Sequence, residues 1–503
     1  MVAAGVRRYC FAAFGAGAAA VLGFAPFGWG VVVPLALAVL FRLWRGRTPR
    51  QAFVLGWCWG AGLMGFGVFW LHHSLARFGG FGPVSAVAVT LLFAAFLALF
   101  PAGVGALAHR LVPPGPRRTL LAYPALWVMG EWLRGWLFTG FPWLQVGYAQ
   151  IDTPLAGYAP VMGVLGVSLV VAFVAAALAA GGRALWLAVF LVAVGWGLQR
   201  IEWSRPVGDP LPVALIQPNV EQSLKWRPDQ FQPTVEKLRR LSRRAPEARL
   251  VIWPETAVPA FADQVEQALL APLDAAYRAE GRTLLLGIPV RGNEGYYNAL
   301  LRLGADGRGQ YRKRHLVPFG EYMPLRALLA PLARWWAVPM SDFSPGRGRP
   351  LLTLAGRPAG MSICYEDAFG AEVVQALPEA AFLVNVSNDA WFGDSLAPHQ
   401  HLEMARMRAL ETGRWMLRAT NTGISAFIDP RGRVAARLPQ FEAGVVRSTI
   451  QPRGGATPYA YGRDGPVVTV AALLLIAARS WGGAPWMPLS RRRSRSKRRR
   501  SSS

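Results

Sequence analysis

Apolar residues are concentrated at 9–200 and 465–481 of this 503-residue chain, and this distribution constrains the fold more than any other feature. Only 16% of the residues are charged, against roughly a quarter in an average soluble protein. Residues 201–462, by contrast, have the composition of an ordinary globular domain. With three cysteines, the composition excludes a small disulfide-rich protein, a disordered chain and a simple soluble enzyme. It indicates an integral membrane protein that carries one sizeable water-facing domain.

The apolar runs are long enough to cross a membrane several times, since a bilayer core about 30 Å thick needs roughly 20 mostly apolar residues per helix. The sequence predicts eight spans, at 9–25, 28–43, 52–73, 84–108, 119–138, 160–180, 184–199 and 465–481. The first run resembles a signal peptide, but further spans follow at once and we expect it to be retained. The last span is the weakest, because Arg479 would have to reach the interface.

The charges of the connecting loops predict an orientation. Basic residues precede span one and follow spans two, four and six: Arg7, Arg8, Arg42, Arg45, Arg47, Arg50, Arg110, Arg117, Arg118 and Arg183. The alternate loops are poor in cations, with Arg77 in one and neither Lys nor Arg in 139–160. This pattern places both termini in the cytoplasm and residues 201–462 on the outside.

The chain therefore divides into four predicted parts. These are a membrane domain of about seven transmembrane helices, a water-facing domain, a C-terminal transmembrane helix and a basic cytoplasmic tail, at 1–200, 201–462, 463–482 and 483–503. The charges of Arg491–Arg500 favour contact with anionic lipid on the cytoplasmic side over nucleic-acid binding or a localisation signal.

Span five contains two charged residues, Glu131 and Arg134. Residues three apart lie on one face of a helix. A charge near membrane depth indicates a functional site by default, but a mutually paired structural couple explains these two equally well.

Short β-rich runs alternate with helical patterns in the water-facing domain. Strands are predicted at Val213–Gln217, Leu250–Trp253, Thr283–Val290, Gly360–Ile363 and Ala381–Val386, with helices near 230–244, 262–280 and 398–412. Ser425–Asp429 and the residues up to Val434 predict a hairpin. The alternation predicts a layered α/β sandwich, in which ligands bind where the strands end.

Cys364 follows one of these strands and precedes Tyr365, Glu366 and Asp367. At a strand-to-helix elbow its sulfur would lie near backbone amides that favour an anion. An inert buried cysteine is the alternative. The two acids favour a function, although they would raise a thiol pKa unless a cation lies nearby.

Two other residues could supply a cation and a base to a nucleophilic cysteine. Lys313 is one of four lysines among 54 basic residues, and its compact ammonium could stabilise a thiolate and a developing oxyanion. The alternative is that Lys313 lies in a solvated basic turn. Glu255 follows a predicted strand beside Trp253 and Pro254, which favours a partly desolvated general base; a helix-capping acid is the alternative. None of the three residues is specific alone.

Together and in this order, Glu255 in WPETA, Lys313 in YRKRHLVPFGEYMP and Cys364 in ICYED resemble the Glu-Lys-Cys triad of the nitrilase superfamily. The Leu316–Glu321 stretch and the seven preceding spans narrow the resemblance to the bacterial apolipoprotein N-acyltransferase family, over about residues 9–482. The resemblance implies an integral membrane helical bundle and an extracytoplasmic αββα sandwich. It also implies a bacterial inner membrane, with the catalytic domain on the periplasmic side.

The resemblance further implies a reaction of lipoprotein maturation. Cys364 would attack an acyl ester of a phospholipid, at the sn-1 chain of phosphatidylethanolamine, while Glu255 would accept the thiol proton and return it to the leaving lysophospholipid. Lys313 would stabilise the oxyanion. The α-amine of the N-terminal diacylglyceryl cysteine of an apolipoprotein would then attack the thioester, in a ping-pong acyl transfer without metal, cofactor, nucleotide or nucleic acid.

Supporting positions are implied by the same resemblance. Glu321 matches a second glutamate that holds the triad, Tyr365 and Glu366 match the residues after the nucleophile, and Trp226 matches a tryptophan near the substrate entrance. Asn388 and Trp391 in VSNDAWFG lie where the family lines its pocket. The apolar run Trp335–Pro339 could dip into the membrane or lie in the core.

Other interpretations remain open. His399 and His401 beside Glu403 hint at a metal site, but they fit no zinc motif and we predict no metal there. A membrane-tethered nitrilase-like amidase would release its acyl-enzyme to water and yield free fatty acid without an amine acceptor. A non-enzymatic transporter or scaffold would keep its full activity when Cys364 is replaced by serine.

Overall fold

The computed structural model describes residues 2–324 and 342–480, with side chains from residue 7 onward. The predicted apolar run Trp335–Pro339 and the basic tail Arg491–Ser503 lie outside these residues.

Helices fill the described N-terminal region. They are α1 Val2–Ala20, α2 Val32–Trp44, α3 Pro49–Gly67, α4 Leu71–Phe78, α5 Pro83–Leu97, α6 Leu99–Leu111, α7 Tyr123–Arg134, α8 Ala159–Ala180 and α9 Leu185–Leu198. Every predicted span of this region overlaps at least one of them, so the prediction that these apolar runs are helical is confirmed.

Length and hydropathy single out fewer spans than the sequence predicts. In the described chain, two continuous helical stretches are long and apolar enough to cross a membrane, Pro83–Leu111 and Pro154–Ala180. The pair α3 and α4 would add a third span but is bent by 54°. Shorter apolar helices cover Val32–Trp44, Gly182–Leu198 and Gly465–Ser480. The count of eight spans and their orientation therefore stay predictions.

The C-terminal half is built from strands and helices. The strands are β1 Arg205–Pro206, β2 Leu211–Gln217, β3 Leu250–Ile252, β4 Thr283–Gly292, β5 Gly295–Gly304, β6 Gly309–Arg312, β7 Leu351–Leu354, β8 Arg357–Ile363, β9 Phe382–Ser387, β10 Met416–Thr420, β11 Ala426–Ile428, β12 Val434–Arg437, β13 Gly444–Ile450 and β14 Arg453–Gly454. The helices are α10 Phe231–Ser242, α11 Ala271–Ala279, α12 Gly370–Val373, α13 Ala397–Thr412, α14 Pro458–Gly462 and α15 Gly465–Ser480. The predicted strands and the hairpin of β11 with β12 are confirmed, whereas the helix expected at 262–280 is shorter because 3₁₀ and π turns precede α11.

Two six-stranded mixed sheets form the centre of this half. Their strand orders are β13-β2-β3-β4-β5-β6 and β12-β11-β10-β9-β8-β7. Parallel strands β2, β3 and β4 lie inside the first sheet, and parallel strands β8, β9 and β10 lie inside the second. Reactive residues that follow β3 and β8 can therefore meet at the carboxyl ends of these strands.

Apolar side chains of the two sheets pack against each other in one core, which includes Leu215, Ile252, Met361 and Val384. The outer face of the first sheet is covered by α10 and α11. The outer face of the second sheet packs against α13. The layers are helix, sheet, sheet and helix, as the αββα sandwich requires.

Helix α13 also contacts the N-terminal bundle. It packs against α8, and its residues Met404 and Met407 belong to the same apolar cluster as the bundle helices. The last predicted span, α15, packs against α7. One helix layer of the sandwich is therefore shared between the two halves of the chain.

Candidate active site

The predicted elbow at Cys364 is present. Cys364 follows β8 directly, with φ at +52° in the left-handed region, and it starts the 3₁₀ turn Cys364–Ala368. Such a conformation is uncommon for a residue with a side chain and is found where the surrounding structure holds it in place. The side chain is 9% exposed, at the end of a strand that is buried over its last five residues.

Glu366 fixes this elbow relative to the segment that carries Lys313. Its carboxylate accepts hydrogen bonds from the Ile363 amide at 2.7 Å and from the Arg314 amide at 2.7 Å. It also accepts from the His315 amide at 3.1 Å and from the Tyr311 hydroxyl at 2.9 Å. One carboxylate thus joins the residue before the nucleophile to the two residues after the lysine.

Lys313 lies between two carboxylates. Its Nζ is 2.9 Å from Glu321 Oε2 and 3.6 Å from Glu255 Oε1, and the side chain is 1% exposed. Asn298 bridges the same two acids, since its Nδ2 donates to Glu255 Oε1 at 2.8 Å and to Glu321 Oε1 at 3.0 Å. The sequence-predicted residues Glu255, Lys313 and Glu321 are therefore brought into one buried cluster.

The second oxygen of Glu255 is held from the other side of the site. Glu255 Oε2 accepts a hydrogen bond from the Asn388 backbone amide at 2.8 Å. The Asn388 side chain bonds to Gln222 and Asn421. Both oxygens of the candidate base are thus oriented by amide donors.

The electrostatics of the cluster define its resting protonation. Burial lowers the Lys313 pKa, but Glu321, Glu255 and Cys364 together raise it well above its ordinary value. Burial raises the pKa of the Cys364 thiol and Glu255 raises it further, against the opposing effect of Lys313. The resting group is a neutral thiol beside an ammonium, and not the anion that elbow amides alone would favour.

A second buried lysine lies at the cluster. Lys225 Nζ donates to the Glu255 backbone carbonyl at 3.2 Å. Burial lowers the pKa of Lys225 to about 8, against the attraction of Glu255. Its neighbour Trp226 is 53% exposed, which suits a surface position beside the cluster more than a place within it.

A buried ionic network supports the elbow from behind. His401 Nε2 lies 2.8 Å from Asp367 Oδ1, and His401 Nδ1 lies 3.0 Å from Asp389 Oδ1. Arg418 contacts the remaining oxygens of both aspartates at 3.0 Å. Burial and Arg418 lower the His401 pKa, but the two carboxylates raise it overall, to about 9. His401 Nε2 is also 3.2 Å from the Cys364 carbonyl oxygen.

The remaining predicted residues surround the cluster. Tyr365 is buried and its ring stacks on Trp143 of the N-terminal bundle. Trp391 is 37% exposed, and its ring contacts Phe78 of α4. His399 contacts Gln440, not the partners of His401, so the two histidines do not converge.

Sequence reasoning missed several residues of the site: Asn298, Tyr311, Lys225, Asp389, His401 as a support, and Arg418. The rarity of lysine in this chain was a signal that could have identified Lys225. For Asn298, inside β5, no signal in the sequence marks the position, because its role depends on the pairing of β5 with β6.

Comparison with known proteins gives a consistent result along the chain. The model of the apolipoprotein N-acyltransferase N-terminal domain matches residues 16–177, and the carbon-nitrogen hydrolase model matches residues 212–459. An apolipoprotein N-acyltransferase of Methylococcus capsulatus is 50% identical over 465 residues, which cover 89% of this chain and 91% of the relative. An apolipoprotein N-acyltransferase of Nitrosomonas europaea is 46% identical over 484 residues, which cover 93% of this chain and 96% of the relative.

Among solved structures, a mutant of an amidase of the nitrilase superfamily from Nesterenkonia is similar to this chain, with 20% sequence identity and a TM-score of 0.35. The match covers 52% of this chain and 97% of the amidase chain.

Proposed function

The chain belongs to the apolipoprotein N-acyltransferase family and is an acyltransferase, and from this premise we propose how its site transfers an acyl chain. Cys364 is the nucleophile, Glu255 the general base and acid, and Lys313 the oxyanion partner. The observation that carries the proposal is the buried ammonium of Lys313 between Glu255 and Glu321.

In the first half-reaction the Cys364 sulfur attacks the ester carbonyl of a phospholipid, with phosphatidylethanolamine and its sn-1 chain as the proposed donor. The raised pKa of Cys364 keeps the resting thiol neutral, so the attack needs a base. Glu255 is this base and accepts the thiol proton. The Lys313 ammonium stabilises the tetrahedral oxyanion. Collapse breaks the ester C–O bond, and the proton on Glu255 passes to the leaving lysophospholipid.

In the second half-reaction the α-amine of a diacylglyceryl cysteine attacks the thioester. Glu255 accepts a proton from the amine and returns it to the Cys364 sulfur as the C–S bond breaks. The products are an N-acylated lipoprotein and the free thiol, so the enzyme returns to its starting state. No oxidant, nucleotide or further co-reactant is needed for this balance.

Both substrates are lipids, so the site must open towards a bilayer. Loop charges favour a multi-pass protein of the bacterial inner membrane with residues 201–462 on the periplasmic side. Exposed Trp226 and Trp391, which closely follow the cluster residues Lys225 and Asn388 in the chain, suit an entrance for acyl chains. The direct packing of α13 on α8 would keep this entrance close to the membrane.

The decisive experiment is intact-protein mass spectrometry after incubation with phosphatidylethanolamine and without acceptor. We expect an adduct of acyl-chain mass on Cys364 that neutral hydroxylamine removes, and no adduct on Cys364→Ala. Adding a diacylglyceryl-cysteine peptide should discharge the adduct into an N-acyl peptide. Free fatty acid without N-acyl peptide would instead support the alternative of a membrane-tethered amidase that releases its acyl-enzyme to water. Full turnover by Cys364→Ala would overturn the assignment of Cys364 as the nucleophile.

A further inference from the structure

One segment of the N-terminal region touches the nucleophile elbow directly. Gly140–Tyr148 connects α7 to the turns before α8, and the Tyr365 hydroxyl donates to the Gly140 carbonyl at 3.0 Å. The Tyr148 hydroxyl donates to the Ala368 carbonyl at 3.1 Å. The Trp143 ring lies on the Tyr365 ring, with centroids 6.4 Å apart and planes 19° apart. Both ends of the turn that Cys364 starts are therefore bonded to this segment.

The two charged residues of α7 hold the same segment. Glu131 Oε1 accepts from the Val146 amide at 2.9 Å and from Trp127 Nε1 at 3.1 Å. Arg134 Nη1 donates to the carbonyls of Phe141 at 2.9 Å and Trp143 at 2.5 Å. Both charged side chains are at most 5% exposed.

A third connection leads from this segment to the buried network behind Cys364. Trp143 Nε1 donates to Gln400 Oε1 at 2.7 Å. Gln400 precedes His401, whose Nε2 lies 3.2 Å from the Cys364 carbonyl oxygen. Gln400 Nε2 also donates to the Gly67 carbonyl at 3.1 Å, where α3 ends.

We propose that Glu131 and Arg134 are positioning residues for the nucleophile, acting through Gly140–Tyr148. The charges of α7 fix the backbone of this segment, and the segment fixes the Tyr365 and Ala368 sides of the elbow. The N-terminal bundle thereby sets the geometry of Cys364 in addition to anchoring the enzyme. This inference rests on the proposed role of Cys364.

The choice of partners separates this role from a purely structural ion pair. Charged groups withdrawn from water inside an apolar bundle are costly, and hydrogen bonds offset part of that cost. Three of the four bonds given above for Glu131 and Arg134 go to the backbone of one short segment, at Phe141, Trp143 and Val146. A pair that served only to join helices would not need to hold the loop that contacts the elbow.

The test uses the full-length protein in nanodiscs containing phosphatidylethanolamine, with Arg134→Lys and Arg134→Gln. Arg134 reaches both carbonyls through one nitrogen, Nη1, and lysine keeps the charge but carries it as a compact ammonium on a flexible stem. We expect acyl-enzyme formation to slow at least tenfold in Arg134→Gln and to recover in part in Arg134→Lys, with the half-saturating phospholipid concentration little changed. Alkylation of Cys364 by iodoacetamide should slow and its pH profile should move, because the thiol no longer keeps its place beside Lys313.

Arg45→Gln is the control at an exposed arginine, since Arg45 Nη1 also donates to a carbonyl of the bundle, that of Ala179, at 2.9 Å. It should acylate at the rate of the unmodified protein. If Arg134→Gln fails to accumulate, Trp143→Phe removes the bond to Gln400 while keeping an aromatic ring at this position, and it should show the same pH shift in alkylation. Unchanged acylation and alkylation in Arg134→Gln, or in Trp143→Phe where Arg134→Gln does not accumulate, would refute the inference. Cys364→Ala separates the two hypotheses, because its turnover would refute the catalytic assignment itself.

Discussion

Replacing Lys313 by arginine tests whether the site needs a compact ammonium or only a positive charge. Lys313 Nζ approaches Glu321 Oε2 to 2.9 Å and Glu255 Oε1 to 3.6 Å, and its side chain is 1% exposed. A guanidinium is larger, planar and suited to bidentate pairing with one carboxylate. We expect it to pair with Glu321 and to leave the developing oxyanion without its donor.

Two effects set the expected size of the change in Lys313→Arg: one lowers the acylation rate and the other lowers the folding stability. Loss of one oxyanion donor costs about 10²–10³ in rate, or about 2.7–4 kcal/mol of transition-state stabilisation. Overpacking of a closed site costs about 1–3 kcal/mol of folding stability. Because the charge is conserved, the two buried carboxylates remain compensated, and the loss of rate should exceed the loss of stability.

The assay is the rate of thioester formation by intact-protein mass spectrometry, with the thermal midpoint measured on the same samples. Lys237→Arg is the control, because Lys237 is a half-buried lysine of α10 whose Nζ contacts only the Asn219 carbonyl, at 3.5 Å, among the contacts described. It should leave the rate unchanged. An acylation rate in Lys313→Arg within about tenfold of the unmodified protein, or about 1.4 kcal/mol, would refute the argument for a compact ammonium.

Two further predictions concern the supports of the elbow. The His401 pKa of about 9 lies above the 6.5 of a free imidazole, so its stabilisation, about 3 kcal/mol, is full below pH 6.5 and is lost as the pH rises through 9. The thermal midpoint should therefore fall between pH 6.5 and 9 by more in the unmodified protein than in His401→Gln, and equal slopes would contradict the buried imidazolium. Glu366→Gln replaces one carboxylate oxygen by an amide NH₂, which then faces either the Ile363 amide or the Arg314 and His315 amides, at a cost of about 1–3 kcal/mol for each donor left unsatisfied. We expect a lower thermal midpoint and acylation slowed more than tenfold, whereas an unchanged rate would show that Glu366 does not position Cys364.

The sequence was sufficient to predict the main elements and the three reactive residues, because these depend on local patterns. Glu255 and Cys364 lie just behind predicted strands, whose ends are readable from hydrophobic runs and the polar residues that interrupt them. Lys313 follows β6, which was not among the predicted strands, and was singled out as one of few lysines. The resemblance to a known triad added their roles. These roles stay predictions until the acyl-enzyme is measured.

The supporting residues could not be predicted, because their contacts join positions far apart in the chain. Asn298 bridges Glu255 and Glu321 only after β4, β5 and β6 pair in register. His401 looked like half of a weak metal motif until the fold placed it between Asp367 and Asp389. The protonation of Cys364 likewise depends on burial, which outweighs the opposing effect of Lys313.

The different environments of the two glutamates favour Glu255 over Glu321 as the proposed base. Glu321 is the nearer partner of Lys313, and its Oε2 also accepts from the Val317 amide at 2.8 Å. Glu321 therefore balances the ammonium, while Glu255, with Nζ at 3.6 Å, keeps a carboxylate that is less fully compensated. In the proposed reaction, proton transfer neutralises Glu255 as the negative charge appears on the oxyanion, so the total charge around Lys313 does not change. One ammonium can then stabilise both the resting carboxylate and the transition state, and little reorganisation is needed during the reaction.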